Sequence, residues 1–124
     1  MHKSILVVDD EKAFLLAVER IFHKMGTSID VVESREEAEA CLACRPYDVV
    51  ITDLRLTGVN GEEGFDIIRK AKEMNPDTKC VMLSGSGDSR IEERALAQGA
   101  SFFFEKPVSA SQLCRFVTQL EAHC

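Results

Sequence analysis

Apolar runs of strand length that end abruptly in charge limit most strongly how this chain can fold. Ile5-Leu6-Val7-Val8 runs into Asp9-Asp10, Val49-Val50-Ile51-Thr52 into Asp53, and Phe102-Phe103-Phe104 leads to Lys106-Pro107. A strand without polar alternation is covered on both faces, the pattern of a parallel sheet between helical layers. If these strands lie parallel in one sheet, their charged ends emerge at one edge.

The rest of the chain supplies the helices this requires. Strand-like runs are read at Ser4–Val8, Ser28–Glu33, Asp48–Asp53, Lys79–Leu83 and Ser101–Glu105, with helical patterns between them. Phe14, Leu15, Val18, Ile21, Phe22 and Met25 share one face of a 3.6-residue period, as do Leu113, Phe116, Val117 and Leu120. Ser34 with Glu37, Ser89 with Glu92 and Ser109 with Gln112 read as capping boxes, and Gly26 and Gly99 as helix stops. Five strands alternating with five helices predict a parallel α/β sheet, with the more alternating Ser28–Glu33 at an edge. Gly58, Gly61 and Gly64 follow the third strand, and Gly85 and Gly87 the fourth. These loops fall at the edge where open α/β sheets bind ligands. There glycine either admits a ligand close to the backbone or simply serves the turn.

Composition narrows the class. A chain of 124 residues with 45% hydrophobic and 29% charged residues forms one domain, 1–124, with a single core. A net charge of −6 argues against nucleic acid or an anionic membrane as a direct partner. No apolar run reaches membrane-spanning length, and Met1-His2-Lys3-Ser4 leads straight into a strand, so a cytoplasmic location is expected. Five scattered cysteines fit a reducing compartment. Cys41-x-x-Cys44 lacks a second ligand pair for zinc and sits within a predicted helix, so it reads as two free thiols with Cys41 toward the core.

The strand-end charges carry the chemistry. Carboxylates meeting at one edge repel by about 4 kcal/mol per pair at 4 Å and an effective dielectric near 20. Lys106 offsets one of the three, and a divalent cation would neutralise the remainder, leaving a site suited to receiving a phosphoryl group. Asp9-Asp10 as a helix cap, Ser84 as a strand-terminal hydroxyl and Lys106 as a surface lysine each have ordinary explanations alone. Their coincidence at four strand ends is what points to a site.

Val7-Val8-Asp9-Asp10-Glu11, Asp48-Val49-Val50-Ile51-Thr52-Asp53-Leu54-Arg55-Leu56, Val81-Met82-Leu83-Ser84-Gly85, Gly99-Ala100, Phe103 and Lys106-Pro107 together resemble the receiver domain of two-component response regulators. The resemblance covers essentially the whole chain. It implies a flavodoxin-like sheet of order 2-1-3-4-5 and a phosphorylation-dependent switch. Asp53 would be the phosphoacceptor, taking the group from a sensor histidine kinase or phosphotransfer protein. Asp10 and Asp53 would hold Mg²⁺ directly, Asp9 largely through water, and the Arg55 backbone carbonyl would be a further ligand. Lys106 would pair with phosphoryl oxygens, Ser84 would donate its hydroxyl, and Gly85 would leave space above the acceptor. The Lys106-Pro107 peptide would be cis, and Ser84 with Phe103 would form the switch.

The chain departs from the family in places. Thr57 stands where proline is frequent, the Gly58–Gly64 loop is about three residues longer than usual, and Arg55 puts a long cation at the site's mouth. Ser84 replaces the commoner threonine, and Phe103 carries no hydroxyl. Two rival readings are a small Mg²⁺-dependent phosphohydrolase with an Asp nucleophile and a degenerate receiver acting as a constitutive binding module. Adjacent rather than spaced aspartates, and no cap domain, weigh against the first. The intact acidic set and Lys106 weigh against the second.

Overall fold

A computed structural model describes residues 4–57, 61–85 and 88–122. Gly58, Gly87 and the leading Met1-His2-Lys3 lie outside the described residues. Ten elements alternate: β1 (Ser4–Val8), α1 (Lys12–Lys24), β2 (Ser28–Val32), α2 (Arg35–Cys44), β3 (Val49–Asp53), α3 (Glu63–Met74), β4 (Lys79–Ser84), α4 (Ser89–Gln98), β5 (Phe102–Glu105) and α5 (Ala110–Ala122). All strand pairs are parallel and the order is β2-β1-β3-β4-β5, the flavodoxin-like topology. Boundaries move from the sequence reading by one residue at β2, β3, β4 and β5.

Rather than the single core that chain length suggests, the two faces of the sheet feed two cores, because helices cover a parallel sheet on both sides. Leu6, Val8, Val50, Cys80 and Met82 pack under α2, α3 and α4 with Leu42, Phe65, Ile67 and Ile68. Ile5, Val7, Val49, Ile51, Val81 and Leu83 pack under α1 and α5 with Leu15, Val18, Phe22, Leu113 and Val117. This period-2 partition explains why the central strands read as unbroken apolar runs. The equally apolar β5 is an edge strand. Phe102 and Phe104 cover it on one side, each meeting the Phe116 ring edge-on at 5.0 and 4.8 Å, while Phe103 packs into the opposite core. Met25 leaves the predicted α1 face. It lies at the helix C-cap, 47% exposed, because Gly26 at φ 74° turns the chain away there.

The caps follow the sequence reading with one correction. Ser34 Oγ accepts the Glu37 N–H, and Ser109 and Gln112 exchange side-chain and backbone hydrogen bonds. The predicted box of Ser89 with Glu92 does not form. Asp88 is the N-cap, its carboxylate accepting the Arg90 N–H and pairing with the Arg90 guanidinium. An anionic side chain one residue earlier competes better for the helix's unpaired amides and its positive end. Gly99 stops α4 at φ 114°, a conformation costly for any residue with a Cβ. Among the described residues Cys41, Cys44, Cys80 and Cys114 are free thiols, with Cys41 against the core and Cys44 exposed.

Gly64 corrects another expectation. It lies in the first turn of α3 rather than in the loop, its N–H donating to the Leu54 carbonyl at 2.9 Å. A Cβ here would stand 2.5 Å from the Asp53 carbonyl oxygen and 2.7 Å from Leu54 Cα. The glycine therefore serves close packing of α3 on the end of β3, not approach of a ligand. Gly64→Ala is expected to destabilise the domain by about 2 kcal/mol, because backbone cannot yield as a side chain does. Helix propensity alone would stabilise the variant by about 1 kcal/mol. The urea midpoint thus decides by its direction, and a rise would contradict the tight contact.

Candidate functional site

Two adjacent parallel strands, β1 and β3, deliver the acidic cluster. The β1–β3 register pairs Val8 with Thr52, so Asp9 and Asp53 follow side by side at the C-terminal edge. Asp9 is fully buried, Asp53 is 7% exposed, and Asp10 is open to solvent. One carboxylate oxygen from each of the three lies within 4.8 Å of the others. From the far side of the sheet, Lys106 Nζ reaches Asp9 Oδ2 at 3.1 Å and Asp53 Oδ2 at 3.0 Å. The Lys106–Pro107 peptide is cis, and the Lys106 N–H donates to the Ser84 carbonyl at 2.7 Å.

Backbone groups fix the carboxylates further. Asp9 Oδ1 accepts the Glu11 N–H at 2.9 Å, and the nearby Arg55 backbone N–H favours the charged form of the Asp53 carboxylate. Burial pushes the Asp53 carboxyl above the usual aspartate range. Lys106 pulls it the other way without offsetting that, and the Asp9 charge adds to the rise. Burial also disfavours the Lys106 ammonium, but its bonds to Asp53 and Asp9 outweigh this and raise its pKa.

Ser84 ends β4, buried, one position beyond the Leu83 that faces Asp53 across the sheet. Gly85 is exposed, and a Cβ there would meet no atom within 4 Å. Phe103 stands opposite Met82 in the β4–β5 register, half-buried. A cleft of about 400 Å³ lined by Glu11, Phe14, Leu83, Lys106, Pro107 and Val108 opens beside the lysine. The sequence-predicted acids and lysine thus meet at one place, with Ser84 at the end of β4 and Gly85 and Arg55 just beyond the ends of β4 and β3.

Side chains that sequence reasoning did not single out frame the site. Glu63 accepts from the Leu56 N–H at 3.3 Å and from the Thr57 hydroxyl. Glu62 holds Arg94 of α4 in a fork of two 2.9 Å hydrogen bonds, with the guanidinium 4.7 Å from the Phe65 ring centroid. Nothing in the local pattern marks these acids, because each partner lies across a loop or on another helix.

A parallel sheet of this order with paired acids after β1, an acid at the end of β3 and a lysine after β5 defines a class of signalling domain. Residues 5–118 match the family described as response regulator receiver domain. Photosynthetic apparatus regulatory protein RegA of Cereibacter sphaeroides is 31% identical over 111 residues, 90% of this chain and 59% of that protein. Acid tolerance regulatory protein ActR of Rhizobium meliloti is 31% identical over 117 residues, 94% of this chain and 59% of that protein. A CheY-like receiver domain from Methanospirillum hungatei shares the fold with a TM-score of 0.84 at 24% identity, covering 96% of this chain and 93% of that one. The chain belongs to the response regulator receiver domain family, whose members are phosphorylation-dependent signalling switches. It spans 59% of the length of the two curated relatives. No helix among the described residues is long and apolar enough to cross a membrane.

Proposed function

We propose that Asp53 is the phosphoacceptor of this receiver domain and takes its phosphoryl group from a phosphohistidine on a sensor kinase or phosphotransfer protein. The observation that carries the reading is a buried carboxylate 3.0 Å from an ammonium and within one oxygen sphere of two further acids. An Asp53 carboxylate oxygen attacks phosphorus, an O–P bond forms as the P–N bond breaks, and the leaving imidazole keeps the electron pair and takes a proton from water. Lys106 offers its ammonium to the phosphoryl oxygens, and the Ser84 hydroxyl donates to them from the end of β4. Water attack on the same phosphorus later returns Asp53 and inorganic phosphate.

The donor set fits a hard divalent cation: three carboxylates and a lysine leave two negative charges, and all ligand atoms are oxygen. Asp10, Asp53 and the Arg55 carbonyl would hold Mg²⁺, with Asp9 behind them. When bound it supplies charge neutralisation for the transferring group. Phe103 and Ser84 would then report the added charge to the α4–β5 side, in a cytoplasmic signalling role.

Acetyl phosphate with Mg²⁺ tests this reading. A hydroxylamine-labile label mapping to Asp53 is expected, suppressed by EDTA. Millimolar Mg²⁺ without donor should also raise the melting temperature, since the native cluster binds it and the unfolded chain does not. Labelling elsewhere, or identical melting with EDTA and Mg²⁺, would overturn the assignment.

A further inference from the structure

We propose that Glu63 is a positioning residue for the acidic site, clamping the segment that follows Asp53 through Leu56 and Thr57; this rests on the reading of Asp53, Asp10 and the Arg55 carbonyl as the cation site. Glu63 is the first residue of α3, where an acid normally serves the helix's unpaired N-terminal amides. Here its carboxylate also turns back across the loop. One oxygen accepts the Leu56 N–H at 3.3 Å and the other accepts the Thr57 hydroxyl. Two consecutive residues, one through backbone and one through side chain, are thus fastened to a single carboxylate.

The position of that grip gives it a role in the chemistry. Arg55, immediately before the clamped pair, lies beside the site, its backbone N–H favouring the charged form of the Asp53 carboxylate. The anchor itself is rigid. Gly64, next to Glu63, hydrogen-bonds the Leu54 carbonyl at 2.9 Å and packs on the Asp53 backbone. The segment from Leu54 to Thr57 is therefore pinned at both ends by α3, with Arg55 between the pins. Gly61 belongs to the same arrangement, because a Cβ there would run into the Glu63 carboxylate and come within 3.1 Å of Thr57 Oγ1. Thr57 brings a hydroxyl to a place where the family often has a rigid proline, and the Thr57–Glu63 pair restrains the loop by hydrogen bonding instead.

Calorimetric Mg²⁺ titration of the intact chain tests the clamp, alongside acetyl phosphate labelling at limiting and saturating Mg²⁺. Glu63→Ala is expected to weaken Mg²⁺ binding about tenfold, the lower end for residues that orient ligands from behind. Its labelling rate should fall at limiting Mg²⁺ and recover at saturation. Removing a nearby negative charge would do part of this without any clamp, so the deciding variants leave charge unchanged. Thr57→Val should weaken binding severalfold with little change in urea midpoint, and Thr57→Ser should restore it. Wild-type affinity in Thr57→Val, or equal loss in the Val and Ser variants, overturns the clamp. A natural chain that binds no Mg²⁺ overturns the site reading and the clamp together. Binding that Asp53→Asn abolishes while Thr57→Val leaves it untouched overturns the clamp alone.

Discussion

Asp53→Asn is expected to reduce acetyl phosphate labelling to background and, without metal, to make the domain more stable near neutral pH. The first effect follows because an amide oxygen is a poor nucleophile toward phosphorus and no other strand-end acid occupies the centre of the sheet. The second follows from where the charge sits. Asp53 is 7% exposed beside a fully buried Asp9, with one lysine between them. Asparagine keeps the shape and an acceptor for Lys106 while removing a desolvated charge, and Asp9 still holds the ammonium at 3.1 Å. A gain of about 1 kcal/mol is expected, because a desolvated charge is removed while Asp9 keeps the Lys106 ammonium paired, so no uncompensated buried charge is left behind.

The pH dependence has a definite sign. Asp53 has a folded-state pKa above its unfolded value, raised mainly by burial. Such a carboxyl favours the folded state while protonated, and that advantage is lost as pH rises from the ordinary aspartate value near 4 through the raised folded value. Above that window the native protein carries the full penalty and the Asn variant carries none. Thermal unfolding in EDTA should show the Asn variant's advantage opening across this window. An Asn variant less stable at pH 7, or a difference that does not change with pH, would contradict the electrostatic account.

Lys106→Ala is expected to separate chemistry from response. Its loss leaves two buried carboxylates without their shared cation. Breaking a buried pair this way costs about 3–5 kcal/mol, and the 27% exposure of the Lys106 side chain puts the expectation nearer 2. Without metal the variant should melt well below the natural chain, and Mg²⁺ should restore more stability to it than to the natural chain. Labelling of Asp53 should survive in part, since a bound divalent cation still neutralises most of the charge. What should be lost is the shift of Ser84 and Phe103 on adding beryllofluoride. A ligand moves a conformational equilibrium only by its differential affinity, and the ion pair that would distinguish the two states is gone. Backbone amide NMR shifts measure this directly. Changes around Phe103 equal to those of the natural chain would show that the lysine is not the coupling element.

Much of this architecture was legible in residue order. Strand-end charges after Val8, Thr52 and Phe104 mark the edge where the acids and Lys106 meet, because side-chain period and strand length are local properties. Ser34 and Ser109 were readable as caps for the same reason, each lying three residues from its partner. Asp88 was not, because two adjacent polar residues compete for the same amides and only the backbone turn decides between them. Gly64 reads as a loop glycine in the sequence, since its reason is the backbone at the end of β3 pressing against it from eleven residues away.

The sequence by itself determined the order of elements, the parallel sheet and the set of acids and lysine at one edge, because apolar periodicity and strand-terminal charge are written in neighbouring residues. Only the tertiary structure decided that Asp9 is buried while Asp10 is exposed, and that Lys106 bridges Asp9 and Asp53 from 97 and 53 positions away. It also decided that Glu63 turns from its helix to hold Leu56 and Thr57. These depend on distances across the folded chain, where burial strengthens each charge and a single amide or ammonium chooses among several acceptors.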